Sequence, residues 1–369
     1  MIKDQEIKLG FVGCGGFGQF CLKVYSGMDE IKIVSVADID ESMAKQTAKK
    51  FNSEWYNDPL TLIEKSDVDL IHIATPPHLH FVLSKQALKR NRHVICEKPL
   101  ALSLQEADEI ISLAKEKDLI LPVNFVLRYI PIVDLVRDII TSKILGEPLH
   151  ANFENYATDE QLNQQHWFWD KNKSGGILIE HGVHFFDLYN YWFGKGKVIS
   201  VHAETRSGTQ QEDRVTCLLE FKSGVIVSHY HGFDQPSCLD RATHQILFER
   251  GDVIVRGWIP ESITVNAIFD NRKLGDLQNI FSDSIVTVTK NFDQIDRKMK
   301  GRGKTIQADK MIRLHYNSPL TKEKLYFKGI ESLIIDQINY IRQNKHKRVI
   351  TEKNGRDALA LAVEASNML

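Results

Sequence analysis

The stretch Ile7-Lys8-Leu9-Gly10-Phe11-Val12-Gly13-Cys14-Gly15-Gly16-Phe17-Gly18 decides the fold. Its first half is apolar apart from Lys8 and reads as a strand. Its second half, G-x-G-x-x-G, ends that strand and opens a helix over 16–27. Gly13 permits the tight turn, Gly15 lets a pyrophosphate approach the backbone, and Gly18 allows close packing of helix on strand. The phosphates then sit at a helix N-terminus, where free N–H groups and the dipole favour anions. Gly16 and Phe17 belong to the same loop. Asp38 closes a second strand 20 residues beyond Gly18. A carboxylate there accepts a hydrogen bond from a ribose 2′-OH and repels a 2′-phosphate. Asp38 is followed by Ile39 with no arginine nearby, so NAD is expected as cofactor, with NADP as the alternative.

Outward from this stretch the pattern repeats. Apolar, β-branched runs at 31–37, 69–74, 93–96 and 120–123 read as strands. Helix-like stretches at 40–51, 78–90 and 103–117 lie between them, the last opened by a capping box of Ser103 and Glu106. This alternation predicts an α/β Rossmann domain, a parallel sheet with helices on both faces. After Pro131 and a helix over 132–142 the pattern changes. Strands at 197–205, 213–222 and 224–231 follow one another, the last two joined by the turn signal Lys222-Ser223-Gly224. One helix, 183–193, interrupts, and helices over 330–344 and 355–367 close the chain. An α+β domain with a large, mostly antiparallel open sheet is expected. The division predicted is 1–125 for the NAD(P)-binding domain and 126–369 for the second domain, with the last helix returning to the first.

The chain's 369 residues are ample for two cores. With 47 basic and 48 acidic residues the net charge is −1, which argues against a broad nucleic-acid-binding surface. No apolar stretch is long enough for a membrane span, and the charged start Lys3-Asp4-Gln5-Glu6 does not read as a signal peptide. The five cysteines lack a C-x-x-C and read as neither a disulfide framework nor a zinc ribbon. A cytoplasmic globular protein with a small-molecule substrate, no nucleic acid and no membrane is expected. The basic segment 290–310 reads as a solvated surface loop, with a lid over an anionic substrate as the other reading. Gly301-Arg302-Gly303-Lys304-Thr305 lacks the leading glycine of a P-loop, because Lys298 stands there.

Two strand ends carry candidate chemistry. Thr75-Pro76-Pro77-His78-Leu79-His80 follows the third long strand, at the edge where open α/β sheets bind ligands. Thr75 and Pro76 are expected beside the nicotinamide, and His80 either with them or as a residue capping the next helix. Glu97-Lys98-Pro99 follows the fourth strand. A lysine in that cleft suits an electrophile or acid, although an ordinary charged loop reads equally well.

These residues come in a familiar order with Arg128-Tyr129-Ile130-Pro131 and Gly175-Gly176-Ile177-Leu178-Ile179-Glu180-His181-Gly182-Val183-His184-Phe185-Phe186-Asp187. The series resembles the Gfo/Idh/MocA oxidoreductases over roughly residues 5–235. The resemblance implies a Rossmann domain, an open-sheet domain used for substrate and subunit contacts, and a homodimer or homotetramer. It also implies NAD(P)-linked chemistry on sugars, sugar derivatives or cyclitols. On it, Lys98 corresponds to the catalytic cleft lysine, which also lies at the cofactor, as Glu97 does. His184 corresponds to the catalytic histidine, and Glu180 falls where the family usually has Asp. Arg128, Trp167 and His181 are expected toward the substrate.

Other readings stay open. Eight of the fourteen histidines lie between 150 and 244. Glu180, His181 and His184, or His229 and His231, suit a metal by residue type, but none is expected. His166, Trp167 and Trp169 suit stacking on a sugar ring, or the core. The alternatives in function are an NAD-dependent glycoside-cleaving enzyme, a catalytically silent NAD-binding sensor, and a dehydrogenase of dihydrodiols.

Overall fold

The computed structural model describes residues 6–159, 162–206, 209, 211–281, 284–293, 297–301, 303–343 and 345–369. The chain forms two compact units built from separate stretches. One holds 1–129, 164–187 and 327–367; the other holds 130–163, 188–326 and 368–369.

The first unit opens with β1 (Ile7–Val12), α1 (Gly16–Tyr25), β2 (Ile31–Ala37), α2 (Glu41–Phe51), β3 (Glu54–Tyr56) and α3 (Pro59–Lys65). It continues with β4 (Leu70–Ile73), α4 (His80–Lys89), β5 (His93–Cys96) and α5 (Leu104–Glu116). The strands form one sheet in the order β3-β2-β1-β4-β5, every pair parallel. All four residues of β4 are buried, as in a parallel sheet covered on both faces. The Rossmann architecture is thus present, with two elements beyond the expected ones. Asp58 accepts from the Leu60 and Thr61 amides and Pro59 takes the first helical position, which together start α3. Of the expected capping box on α5, the Ser103 half forms: its hydroxyl accepts from the Glu106 amide. The expected strand 120–123 is reduced to a single bridge between Cys96 and Val123.

The second unit opens with α6 (Pro131–Ser142) and β6 (Pro148–Thr158). The four-residue α7 (Lys171–Ser174) belongs to the first unit, and α8 (Val183–Phe193) starts there too. The second unit continues with β7 (Gly196–Thr205), β8 (Glu212–Phe221), β9 (Ile226–Gln235), β10 (Arg241–Phe248), β11 (Gly251–Arg256) and β12 (Ser262–Phe269). After α9 (Asn271–Ile280) come β13 (Ile285–Asn291), β14 (Lys298–Gly301), β15 (Lys304–Gln307) and β16 (Lys310–Asn317). The large sheet runs β13-β16-β12-β11-β10-β6-β9-β8-β7 and is antiparallel except for β6 against β9. Its covered face carries Phe153, Val215, Cys217, His229, His231 and His244, packed by Tyr189 and Trp192 of α8. Within the segment read as a loop at 290–310, the described residues include the end of the edge strand β13 and the paired strands β14 and β15, while 294–296 and 302 lie outside the described residues. There Lys304 pairs with Glu249 at 2.8 Å, and Arg297 pairs with Asp309.

The chain closes with α10 (Lys322–Arg342), which begins earlier than its expected start, and α11 (Glu352–Ser366). Arg356 of α11 donates to Asp108 of α5 at 2.7 and 3.0 Å, so the last helix lies on the Rossmann side of the chain. Among the described residues no helix is long and apolar enough to cross a membrane.

Candidate active site

Gly13 has φ +98°, and a Cβ there would lie 2.3 Å from the Ala74 carbonyl oxygen. A Cβ on Gly18 would lie 2.0 Å from the Gly13 carbonyl oxygen. Both positions are therefore closed to any side chain, whereas Gly15 and Gly16 face open space. The first turn of α1 has neither a side-chain cap nor an acidic residue. Its free N–H groups stand available to an anion, as a pyrophosphate requires. Phe17 is half-buried beside them. Asp38 follows β2 and accepts from the Cys14 amide at 2.7 Å and the Asp40 amide at 2.9 Å. The carboxylate is thereby aimed alongside the glycine loop, while Ile39 is 83% exposed. The arrangement fits a dinucleotide with a free ribose 2′-OH.

At the next two strand ends lie Thr75-Pro76 and Glu97-Lys98-Pro99. His80 is buried between them. Its Nδ1 faces the Pro99 carbonyl at 2.6 Å and its Nε2 the Thr75 carbonyl at 2.8 Å. It is the first residue of α4 and clamps the two loops together; it does not present a nitrogen to a ligand. Burial lowers its pKa, against the pull of those two carbonyls. Glu97 likewise turns inward: its Oε1 accepts from His72 Nε2 at 3.0 Å and Asn124 Nδ2 at 2.6 Å. His80 and Glu97, expected at the cofactor, thus engage the protein's own loops through these atoms.

Lys98 reaches the other way. Its ammonium donates to the Glu180 carbonyl at 2.9 Å and to the Glu180 carboxylate. Glu180 lies in a π-helical turn, Leu178–Gly182, that runs directly into α8. The expected start of a helix at 183 is thus corrected to a continuous helical run from Ile177. Gly175 and Gly176, at φ +82° and +89°, release the chain from α7 just before it. π-Turns inside helices frequently mark functional sites. Here the turn puts Glu180, His181 and His184 in one buried cluster. The His184 ring is 6.2 Å from Phe125 and 6.4 Å from His181, centroid to centroid. Burial pushes His184 well below the usual histidine range, and the nearby Lys98 charge adds to that. A neutral imidazole beside an ammonium–carboxylate pair can take a proton while the ammonium stabilises a developing oxyanion.

Trp167 and Arg128, two further residues expected at the site, lie on the same unit. Trp167 is half-buried with its ring tilted against that of His166, the centroids 5.1 Å apart. Burial lowers the pKa of His166, and the charge of Glu180 opposes that. Arg128, expected toward the substrate, clamps Asp187. Its Nε and Nη2 each donate to the Asp187 carboxylate at 2.7 Å, and both side chains are buried. Asp187 lies three residues beyond His184 on α8, so the pair fixes the helix that carries the histidine. His229 and His231, weighed as metal ligands, lie in the second unit's core, stacked at 5.8 Å. The only close group of possible ligands among the described residues is Cys21, His72 and Glu97. The His72 nitrogens there already engage Glu97 and, at 2.8 Å, Tyr25.

Residues 7–125 match the family described as "Oxidoreductase family, NAD-binding Rossmann fold", and 133–253 match the "GFO/IDH/MocA C-terminal domain". The chain belongs to the Gfo/Idh/MocA oxidoreductase family. It is 27% identical to glucose-6-phosphate 3-dehydrogenase of Bacillus subtilis over 58% of this chain and 61% of that protein. It is 28% identical to 2,7-anhydro-N-acetylneuraminate hydratase of Mediterraneibacter gnavus over 52% of this chain and 50% of that protein. The chain thus spans about half of the length of these curated relatives. Levoglucosan dehydrogenase in complex with NADH and levoglucosan shares the fold, with a TM-score of 0.78 at 18% identity over 99% of this chain and 97% of that one.

Proposed function

We propose that this protein is an NAD-dependent dehydrogenase of a sugar, sugar derivative or cyclitol, with Lys98 and His184 as its acid–base pair. The reading rests on one observation above the others: half-buried Lys98 pairs with buried Glu180, and buried His184 feels the Lys98 charge, all on the same unit as the glycine loop and Asp38. The dinucleotide, held by Gly13, Gly15, Gly16, Phe17, Gly18 and Asp38 with Thr75 and Pro76 alongside, supplies the hydride acceptor when bound. His184 takes the substrate hydroxyl proton; its depressed pKa keeps it neutral and able to do so at neutral pH. Lys98 stabilises the alkoxide that develops as the carbon is oxidised to a carbonyl. Glu180 orients Lys98 and balances its charge. Acid–base groups placed this way contribute about 10²–10⁴-fold. In the reverse direction the same groups return the proton to the alkoxide. Trp167 and His181 border the substrate side, and assembly into a homodimer or homotetramer covers the open sheet face.

The match to a hydratase favours one second reading, a glycoside-type cleavage with no net change in NADH. The test is a panel of polyols, aldoses, amino sugars and uronates with NAD or NADP, followed by the near-ultraviolet absorbance of NADH. The expected result is growth of the signal with NAD and one member of the panel. Product release without NADH accumulation supports the second reading instead. NADH binding without any conversion of the panel points to the silent sensor.

A further inference from the structure

Beneath the candidate site the first unit buries a polar chain that the hydride-transfer reading does not use. Tyr25, on α1, meets His72 Nδ1 at 2.8 Å. His72, on β4, meets Glu97 Oε1 from its other nitrogen at 3.0 Å. Asn124 donates to that same oxygen at 2.6 Å. Tyr25 and His72 are fully buried, Asn124 is 2% exposed and Glu97 8%. A carboxylate in such a place is strongly unfavourable unless donors satisfy it. An apolar residue would fill the space without that penalty, so the buried carboxylate has to be accounted for by its position.

That position is the residue before Lys98. Glu97 is fastened at three points: its amide donates to the Ile73 carbonyl at 2.9 Å, and its carboxylate takes the two side-chain donors. The donors come from 25 residues before it and 27 after it. They tie the turn after β5 to β4 on one side and to the segment beside Val123 on the other. Asn124 is itself pinned, its amide donating to the Cys96 carbonyl at 2.9 Å. The peptide carrying Lys98 therefore cannot shift without breaking buried charge-assisted bonds, which are the strong kind. Reach matters at the far end. A lysine has a long flexible stem, and only a fixed Cα makes its meeting with Glu180 a defined geometry rather than one rotamer among many.

We propose that His72 and Asn124, acting through Glu97, are positioning residues that present Lys98 to Glu180 and to the substrate. Tyr25 extends the chain to α1, the helix that begins at the glycine loop. The proposal takes Lys98 as the reacting lysine, as in the reading above, but its test needs neither substrate nor turnover. Lysines of the whole protein are reductively methylated with a carbon-13 label, and the Lys98 signal is identified by its loss in Lys98→Met. Its resonance and titration are then followed in His72→Phe, His72→Gln and Asn124→Ala. In His72→Phe and Asn124→Ala the Lys98 signal is expected to move or broaden, with its titration midpoint displaced by about half a pH unit or more. The signals of the exposed Lys8 and Lys143 stay in place. His72→Gln, which keeps a donor for Glu97, is expected to restore most of the wild-type signal. A merely structural role would lower stability without this selective effect and without that rescue. Asn124→Ala removes one donor without enlarging a core side chain, and it decides the matter should His72→Phe not fold. A Lys98 signal unchanged in a folded variant lacking either donor overturns the proposal, whatever the substrate panel returns.

Discussion

Two groups of buried histidines set the halves of this molecule apart. His184 lies near the Lys98 ammonium, which itself pairs with Glu180, in a helical run that opens with a π-turn. His229, His231 and His244 lie on the covered face of the large sheet, around the ring of Phe153, which they approach at 5.5, 5.3 and 4.7 Å. Burial depresses all four, the last two to about 3. The shared direction therefore carries no functional information. What differs is the company: charged partners that can exchange a proton in one case, aromatic rings that supply packing area in the other.

The largest expected contrast is in turnover. His184→Asn should lower kcat by about 10²–10⁴-fold with NADH affinity kept, whereas His244→Phe should leave kcat within a few-fold. Steady-state kinetics on an accepted substrate, with NADH binding followed by fluorescence, checks both. Equal losses in the two variants would dissolve the distinction.

Next comes stability. Arg128→Ala leaves the buried Asp187 without its partner, and removing one member of such a pair typically costs about 3–5 kcal/mol. Burial raises the pKa of Asp187 and the guanidinium opposes that, so the aspartate will take up a proton more readily in the variant. Urea unfolding at neutral pH measures the loss. A variant of wild-type stability would show that α8 does not depend on this clamp.

A smaller, pH-dependent effect belongs to the sheet histidines. Their folded pKa values lie below that of an unfolded histidine, so the unfolded chain binds more protons at mildly acid pH. Their contribution to stability is complete above about pH 6.5 and is lost as the pH falls toward the folded values, at about 1.4 kcal/mol per pH unit for each group. His231→Phe should therefore flatten the decline in urea midpoint between neutral and mildly acid pH, while His202, exposed on β7, should not matter when replaced by Gln. The smallest effect concerns the cofactor. Asp38→Ala should weaken NAD by about tenfold and NADP less, read from the two dissociation constants; equal weakening would remove the 2′-OH argument.

Local chemistry made the parallel sheet legible, because strands buried on both faces are written as mainly apolar runs and the glycine loop has one structural use. The same run of β4 contains His72, the single polar residue in it, and that interruption was the available signal for the network under Lys98. What it bonds to was not readable, since Glu97 and Asn124 come from far along the chain. Arg128 and Asp187 are 59 residues apart and were met in separate motifs, so only the fold joins them. The stretch 120–123 misled because an apolar run of strand length forms just one bridge, its neighbours being α11 and the end of β5. The π-turn was not legible, since a helix was expected only from 183 and nothing in the residue types of Leu178–Gly182 marks a wider turn. In the second unit the hairpin at Lys222-Ser223-Gly224 was legible from its turn, with Gly224 at φ +84°. The basic hairpin β14–β15 was not, since its strands are four residues each and almost wholly exposed.

The most direct test of the account compares Lys98→Met with the wild type on one accepted substrate, following NADH absorbance for turnover and NADH fluorescence for binding. The account predicts a folded variant that holds NADH within a few-fold of wild type and whose turnover is lost. Turnover retained by Lys98→Met at the wild-type rate would contradict it, and would separate the Lys98–Glu180 pair from the chemistry.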